Sequence, residues 1–177
     1  MRALVFVCGF FACLGAENAT LNKIEITGTE LNRAALLRVA GLEIGAGVTP
    51  ASLRSACEKL KQTGLFEQVE YDYQAEPDNG GYSLQIRLRP PINLLAAVIE
   101  IPGVPSRDVW ESLQQTGLFY MNKAPATDLG QRFYAAEIQR VLKAQGVEQV
   151  IVASLRTGLI GSASGKKITV VFRPRVS

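Results

Sequence analysis

Three short landmarks occur twice in this chain, in the same order and roughly 80 residues apart. The first copy has them at 24–28, 60–69 and 86–90, and the second has them at 99–103, 142–150 and 170–174. The offset between the copies grows along the chain, so the additional residues of the second copy fall between the landmarks. This pattern predicts two homologous units rather than one larger domain.

The first unit, predicted at 21–90, is expected to contain three strands. The first strand is short, at 23–27, where two isoleucines alternate with polar residues. Apolar and polar residues also alternate over 69–73 and 82–88, on either side of a glycine-rich turn at 77–81. These two segments predict a hairpin with one apolar face.

Two helices are predicted between the first strand and the hairpin. The first helix covers 31–39 and ends at Gly41. The second has Thr49 as its N-cap and Pro50 at its first position, and it ends at Gly64.

Four apolar residues of the second helix recur at positions i, i+3, i+4 and i+7 and predict one stripe facing the core. They are Leu53, Ala56, Cys57 and Leu60. A small sheet covered on one face by two helices would bury this stripe. The predicted fold class is therefore α+β, with two tandem β-α-α-β-β domains, each a three-stranded mixed sheet covered on one face by two helices. Cys57 is interpreted as a small buried hydrophobe rather than a reactive thiol.

The second unit, predicted at 92–174, repeats the order with longer loops. Its expected elements are a strand at 95–101, a helix at 107–115 capped by Ser106, a helix from Thr127 or Asp128 to Gly146, and strands at 147–155 and 167–173. A longer loop occupies 120–126. Pro90 and Pro91 join the units and are too few to act as a flexible tether.

The start of the chain predicts export. A positive charge at Arg2, a short apolar run and small residues before Glu17 are typical of a cleavable signal peptide, placed here at 1–16. A spanning helix needs roughly 20 apolar residues, more than this run contains. A lipoprotein start at Cys13 is disfavoured, because the residues before it do not match a lipobox.

The composition argues against catalysis and nucleic-acid binding. Histidine is absent, which removes the commonest general base and metal ligand. Removal of the signal peptide would leave Cys57 as the only cysteine, so neither a disulfide within the chain nor a thiolate pair for a metal is expected. The net charge is only +3, and basic residues do not cluster. We expect no enzyme activity, no cofactor and no nucleic-acid partner.

The element order, the loop at 45–49 before the second helix, and the segment 60–69 together resemble the POTRA (polypeptide-transport-associated) domain of outer-membrane assembly proteins such as BamA. The resemblance implies a periplasmic module that binds polypeptides by letting an extended segment add to the edge of its sheet. It also implies that the strand after the second helix lies at the edge, at 66–74 and 147–155. The binding residues expected on these strands are Phe66, Gln68, Glu70, Asp72, Gln74, Val147, Gln149 and Ile151.

The resemblance further implies the partners, which are an outer-membrane β-barrel assembly protein or unfolded outer-membrane clients, bound in the periplasm at the periphery of the outer membrane. Nothing after Arg173 could supply the strands of a membrane barrel. Either the chain works with a separate barrel protein or it is a piece of a longer one. An alternative is a docking protein with one fixed partner, as in the cell-division protein FtsQ. Trp110 is interpreted either as a partner anchor or as packing between the units.

Overall fold

A computed structural model describes residues 19–76, 80–160 and 165–175. The predicted signal peptide at 1–16 and residues 77–79 of the predicted hairpin turn lie outside these described residues. The first unit consists of β1 (Ala19–Thr27), α1 (Arg33–Ala40), β2 (Gly47–Val48), α2 (Pro50–Gln62), β3 (Gln68–Glu76) and β4 (Gly81–Arg89). Its sheet has the order β2-β1-β4-β3, with β1 and β4 parallel and the other pairs antiparallel.

The second unit has the same architecture. It consists of β5 (Leu94–Ile99), α3 (Ser106–Gln115), β6 (Lys123–Pro125), α4 (Asp128–Ala144), β7 (Ile151–Ile160) and β8 (Gly165–Pro174). Its sheet has the order β6-β5-β8-β7, again with one parallel pair, β5 with β8. The predicted α+β class with two tandem units is therefore confirmed.

Each sheet has four strands instead of the three predicted. The additional strands, β2 and β6, lie in the segments interpreted as loops at 45–49 and 120–126. They are two and three residues long, too short to show an alternating pattern in the sequence. They form because a tertiary neighbour, β1 or β5, offers a free edge to pair with.

The helix ends follow the local capping residues. Thr49 and Ser52 form a reciprocal capping box at the start of α2, with N···O distances of 3.1 and 2.9 Å. Thr127 caps α4, as one of the two predicted options. Ser106 does not cap α3, since it is the first helical residue and Pro105 occupies the N-cap position without a side-chain hydrogen bond.

Both helices of each unit cover one face of its sheet. All four residues of the predicted α2 stripe, including Cys57, are buried. In the second unit the core is aromatic, because the ring of Tyr134 packs edge-on against Phe119 at 4.6 Å and stacks with Phe172 at 6.0 Å between centroids. Trp110 belongs to the buried core and is 7% exposed, which leaves little of its ring for a partner.

Leu60 provides a test of the α2 packing. Its side chain is fully buried, so Leu60→Ala should lower the free energy of unfolding by about 2–5 kcal/mol, through lost burial and the cavity left behind. Chemical denaturation measures the change. The matched control is Gln62→Ala on the exposed face of the same helix, expected to change stability by less than about 0.5 kcal/mol. Equal effects of the two substitutions would contradict this packing.

Candidate functional site: the open sheet edges

Each sheet has one short edge strand and one long edge strand. The short edges are β2 and β6, whereas the long edges are β3, with nine residues, and β7, with ten. Within the described residues, no further strand pairs with the outer side of β3 or β7. A long edge strand presents a row of backbone N–H and C=O groups that another chain can pair with.

The structure places most of the predicted first-unit residues on β3. Gln68, Glu70, Asp72 and Gln74 lie in this strand. Of these, Glu70, Asp72 and Gln74 are exposed, on the face opposite the half-buried Tyr71 and Tyr73. Phe66 is an exception, because it precedes the strand and is only 7% exposed. Its aromatic ring serves the core and is not available to an incoming strand.

In the second unit, only Ile151 of the three predicted residues belongs to β7. The strand prediction was wrong for Val147 and Gln149, because a capping turn follows the end of α4 at Ala144 and β7 begins only at Ile151. Val147 N–H donates to the Leu142 carbonyl at 2.9 Å and closes the last turn, with Gly146 in the left-handed conformation. The strand can begin only after this capping turn is complete.

The backbone at the start of β7 shows which of its residues face the free edge. The Val150 carbonyl accepts the N–H of Arg175, which follows β8, at 2.8 Å. Neighbouring residues of a strand point their backbone groups in opposite directions. The backbone N–H and C=O of Ile151 therefore point away from β8, and this N–H instead donates to Oε1 of Gln139 on α4 at 3.4 Å. By the same alternation, Ala153 and Leu155 also face the free edge.

A groove of about 600 Å³ runs between α4 and β7, beside this edge. It is lined by Asp128, Gln131, Arg132, Ala135, Ala136 and Gln139 from α4, by Ile151, Val152 and Ala153 from β7, and by Arg175. Its lining includes three alanines, and its charged residues are two arginines and one aspartate, which give it a net positive charge. An added strand directs every second side chain towards one face, so a groove of this kind can select among extended segments.

The groove was not among the sequence predictions. Gln139 and Arg132 lie on α4 and Arg175 follows β8, so only the packing of α4 against the sheet brings them together. The one available signal was the regular spacing of Arg132, Ala136 and Gln139 on a helix, which also fits a solvated face.

The buried ionisable groups support packing rather than chemistry. Burial is the main cause that raises the pKa of the Cys57 thiol to about 11, a change that disfavours the nucleophilic thiolate. Burial likewise raises the pKa of Tyr134, whose hydroxyl accepts the N–H of Tyr120 at 3.0 Å. Among the residues that the structure describes, no three Asp, Glu, Cys or His side chains form a group able to hold a metal ion.

Two carboxylates of the second unit form exposed ion pairs. Glu100 pairs with Arg156 at 2.6 Å, and this hydrogen bond lowers the pKa of the Glu100 carboxyl. Glu111 pairs with Arg107 one helical turn away, also at 2.6 Å. Both pairs are solvent-exposed ion pairs of the kind that contribute little to stability.

Comparisons with known proteins identify structural neighbours. No protein-family model matches the chain, and no curated protein matches it. Among solved structures, the chain is similar to POTRA1-2 of the periplasmic domain of Omp85 from Anabaena, at 16% identity and a TM-score of 0.39, covering 91% of this chain and 99% of that one. It is similar to POTRA3-5 of Haemophilus influenzae BamA at 15% identity and a TM-score of 0.42, covering 92% of this chain and 68% of that one.

A more distant neighbour is CdiB from Escherichia coli, at 14% identity and a TM-score of 0.32, with 96% of this chain aligned to 29% of that one. The chain spans 61% of a three-domain POTRA1-3 fragment of the Anabaena Omp85. The Omp85 and BamA neighbours are POTRA domains, the family that the sequence resembles, and at these identities the similarity concerns the fold alone. In the part of the chain that the structure describes, no helix is long and apolar enough to cross a membrane.

The buried state of Cys57 predicts its reactivity. Since the thiol is fully buried and its pKa lies well above neutrality, alkylation by iodoacetamide at neutral pH should be much slower in the folded chain than in denaturant. Mass spectrometry of the peptide containing Cys57 measures the labelling separately from Cys8 and Cys13. Equally fast labelling in both states would show that the α2 stripe is open to solvent.

Proposed function

We propose that this chain is an exported periplasmic scaffold that binds polypeptides during outer-membrane protein assembly or secretion, without catalysis and without a cofactor. The observation that carries the proposal is the pair of long open edge strands, β3 and β7, one in each unit. Proteins usually shorten or cover such edges to avoid unwanted pairing. Here each sheet instead has one short edge strand and one long edge strand, of nine residues in β3 and ten in β7.

The β7 edge is the better defined of the two binding sites. An extended segment that pairs with β7 would replace Gln139 at the Ile151 N–H and would meet the free backbone groups of Ala153 and Leu155. Main-chain hydrogen bonds of this kind need no particular sequence, which suits a scaffold for many clients. Leu155 is 59% exposed and offers apolar contact to alternate side chains of the added strand.

The proposed setting in the cell rests on two features of the sequence. The predicted signal peptide at 1–16 favours export, and the resemblance to POTRA modules favours outer-membrane assembly or secretion as the process. A scaffold should bind several unrelated extended peptides, whereas a docking protein with one fixed partner should bind none of them. Binding measurements with such a peptide panel therefore separate the two functions.

Proline at Ala153 tests strand addition. It removes an N–H that faces the free edge while leaving the ladder to β8 intact, so Ala153→Pro should weaken peptide binding about tenfold or more, through a lost hydrogen bond and a steric block. Isothermal titration calorimetry with extended peptides of alternating apolar and polar residues measures the loss.

The matched control is Ala153→Ser, which keeps the N–H and nearly the same side-chain volume in the groove and should bind much like the original chain. Circular dichroism verifies that both variants are folded. Unchanged affinity in a folded Ala153→Pro variant would exclude β7 as the binding edge. The proposed function would then depend on β3, which hydrogen exchange of its amides with and without peptide examines directly.

The arginines of the groove predict a charge preference. Replacing Arg132 and Arg175 together by glutamine should weaken binding of peptides with carboxylates at alternate positions by several-fold, and the remaining affinity should depend less on salt. Peptides with glutamine at those positions should bind both forms alike. A loss of equal size for both peptides would show that the arginines do not select by charge.

A further inference from the structure

The tetrapeptide Thr-Gly-Leu-Phe occurs twice in the chain, at 63–66 and at 116–119. The first copy follows α2, and the second follows α3. These positions are not equivalent, because α2 is the second helix of its unit and α3 is the first helix of the other. The repeated fold therefore does not explain the repeated tetrapeptide.

Both copies form the same turn. The threonine hydroxyl donates to a carbonyl of the preceding helix at 2.6 Å, to Leu60 in the first copy and to Leu113 in the second. The same hydroxyl oxygen accepts the N–H of the leucine two residues later, at 3.2 and 3.4 Å. The intervening glycine is left-handed in both, with φ of 64° and 73°. We call these two turns the TGLF loops.

The second TGLF loop contacts the first unit. The carbonyl of Gly117 accepts the N–H of Asn32 at 2.8 Å, and Asn32 is the N-cap of α1. A Cβ atom on residue 117 would overlap the Cβ of Asn32. Only glycine allows the two backbones to approach this closely.

The first TGLF loop makes the reverse contact with the second unit. A Cβ on residue 64 would overlap the backbone N of Gly130 and lie 2.7 Å from the Cβ of Leu129. The hydroxyl of Thr127, the N-cap of α4, is 3.5 Å from the Gly64 carbonyl oxygen. A side chain at residue 130 would in turn lie 2.9 Å from that oxygen, so glycine is needed on both sides of the contact.

Tyr120 bridges the two contacts. It follows the second TGLF loop, and its hydroxyl donates to the Leu65 carbonyl of the first loop at 3.4 Å. The buried apolar residues of both units form one continuous cluster.

We propose that the TGLF loops form a reciprocal latch that holds the two units together as one rigid body. Each loop docks against the N-terminal turn of a helix in the other unit, so a rotation that relieves one contact is blocked by the second. The latch concerns the joint between the units and holds whether or not the edge strands bind polypeptides. Its consequence for any partner is that β3 and β7 keep one relative orientation.

The test measures rotational diffusion of the full chain by backbone 15N relaxation. In the original protein, amides of both units should report one common correlation time. In the Gly64→Ala/Gly117→Ala double variant, the added methyl groups should separate the units, so that each reports its own shorter correlation time. Well-dispersed amide spectra show that both units of the variant are still folded.

Two other glycines give a matched control. Gly45 and Gly103 are also left-handed, with φ of 88° and 78°, but a Cβ atom there would meet nothing within 4 Å. The Gly45→Ala/Gly103→Ala double variant carries a similar backbone strain without the contact between units. It should retain the single correlation time of the original chain.

Two results would overturn the latch. Separate correlation times for the two units of the original chain would do so without any variant, which keeps the test decisive if the Gly64→Ala/Gly117→Ala protein does not fold. A single common time in the folded Gly64→Ala/Gly117→Ala variant would show that the loops do not hold the joint.

Discussion

Parallel pairing of the first and last strands of each unit is the constraint on which the rest of the structure depends. β1 pairs with β4, and β5 with β8, in parallel. A parallel pair cannot be joined by a tight turn, so the chain must cross over one face of the sheet, and the two helices lie on that crossover. The hairpin strand that precedes the last strand then has only one neighbour. The long open edges at β3 and β7 therefore follow from the topology of each unit.

The same crossover creates the joint between the units. Because helices cover one face of each sheet, their ends are available to the other unit, and the TGLF loops at those ends meet the helix caps opposite. Backbone groups and glycines dominate these contacts. The two units approach so closely there that even an added Cβ atom would overlap the opposite backbone or side chain. An open edge and a tight joint are compatible because they lie at different places in each unit. The edge is at the side of the sheet, whereas the joint is at the ends of the helices.

Features that depend on residues close in the sequence were predictable, whereas features that depend on residues distant in the sequence were not. The helices and their caps at Thr49 and Thr127 were predictable, since capping and apolar periodicity act within a few residues. Residues such as Val147 and Phe66 were misplaced because an alternating pattern does not reveal where a capping turn ends and a strand begins. The groove residue Gln139 could not be found from sequence, because its role depends on a strand twelve residues away in the chain.

The amino-acid sequence by itself determined the repeat, the α+β class and the buried stripe of α2, because these depend on local periodicity and on the composition of each segment. Tertiary structure alone decided the short strands β2 and β6, the groove beside β7 and the function of the TGLF loops. The physical reason is that a strand of two or three residues, a groove and a backbone contact each require a partner distant in the chain. The tetrapeptide is visible in the sequence, but the contact that each copy makes with the other unit is visible only in the tertiary structure.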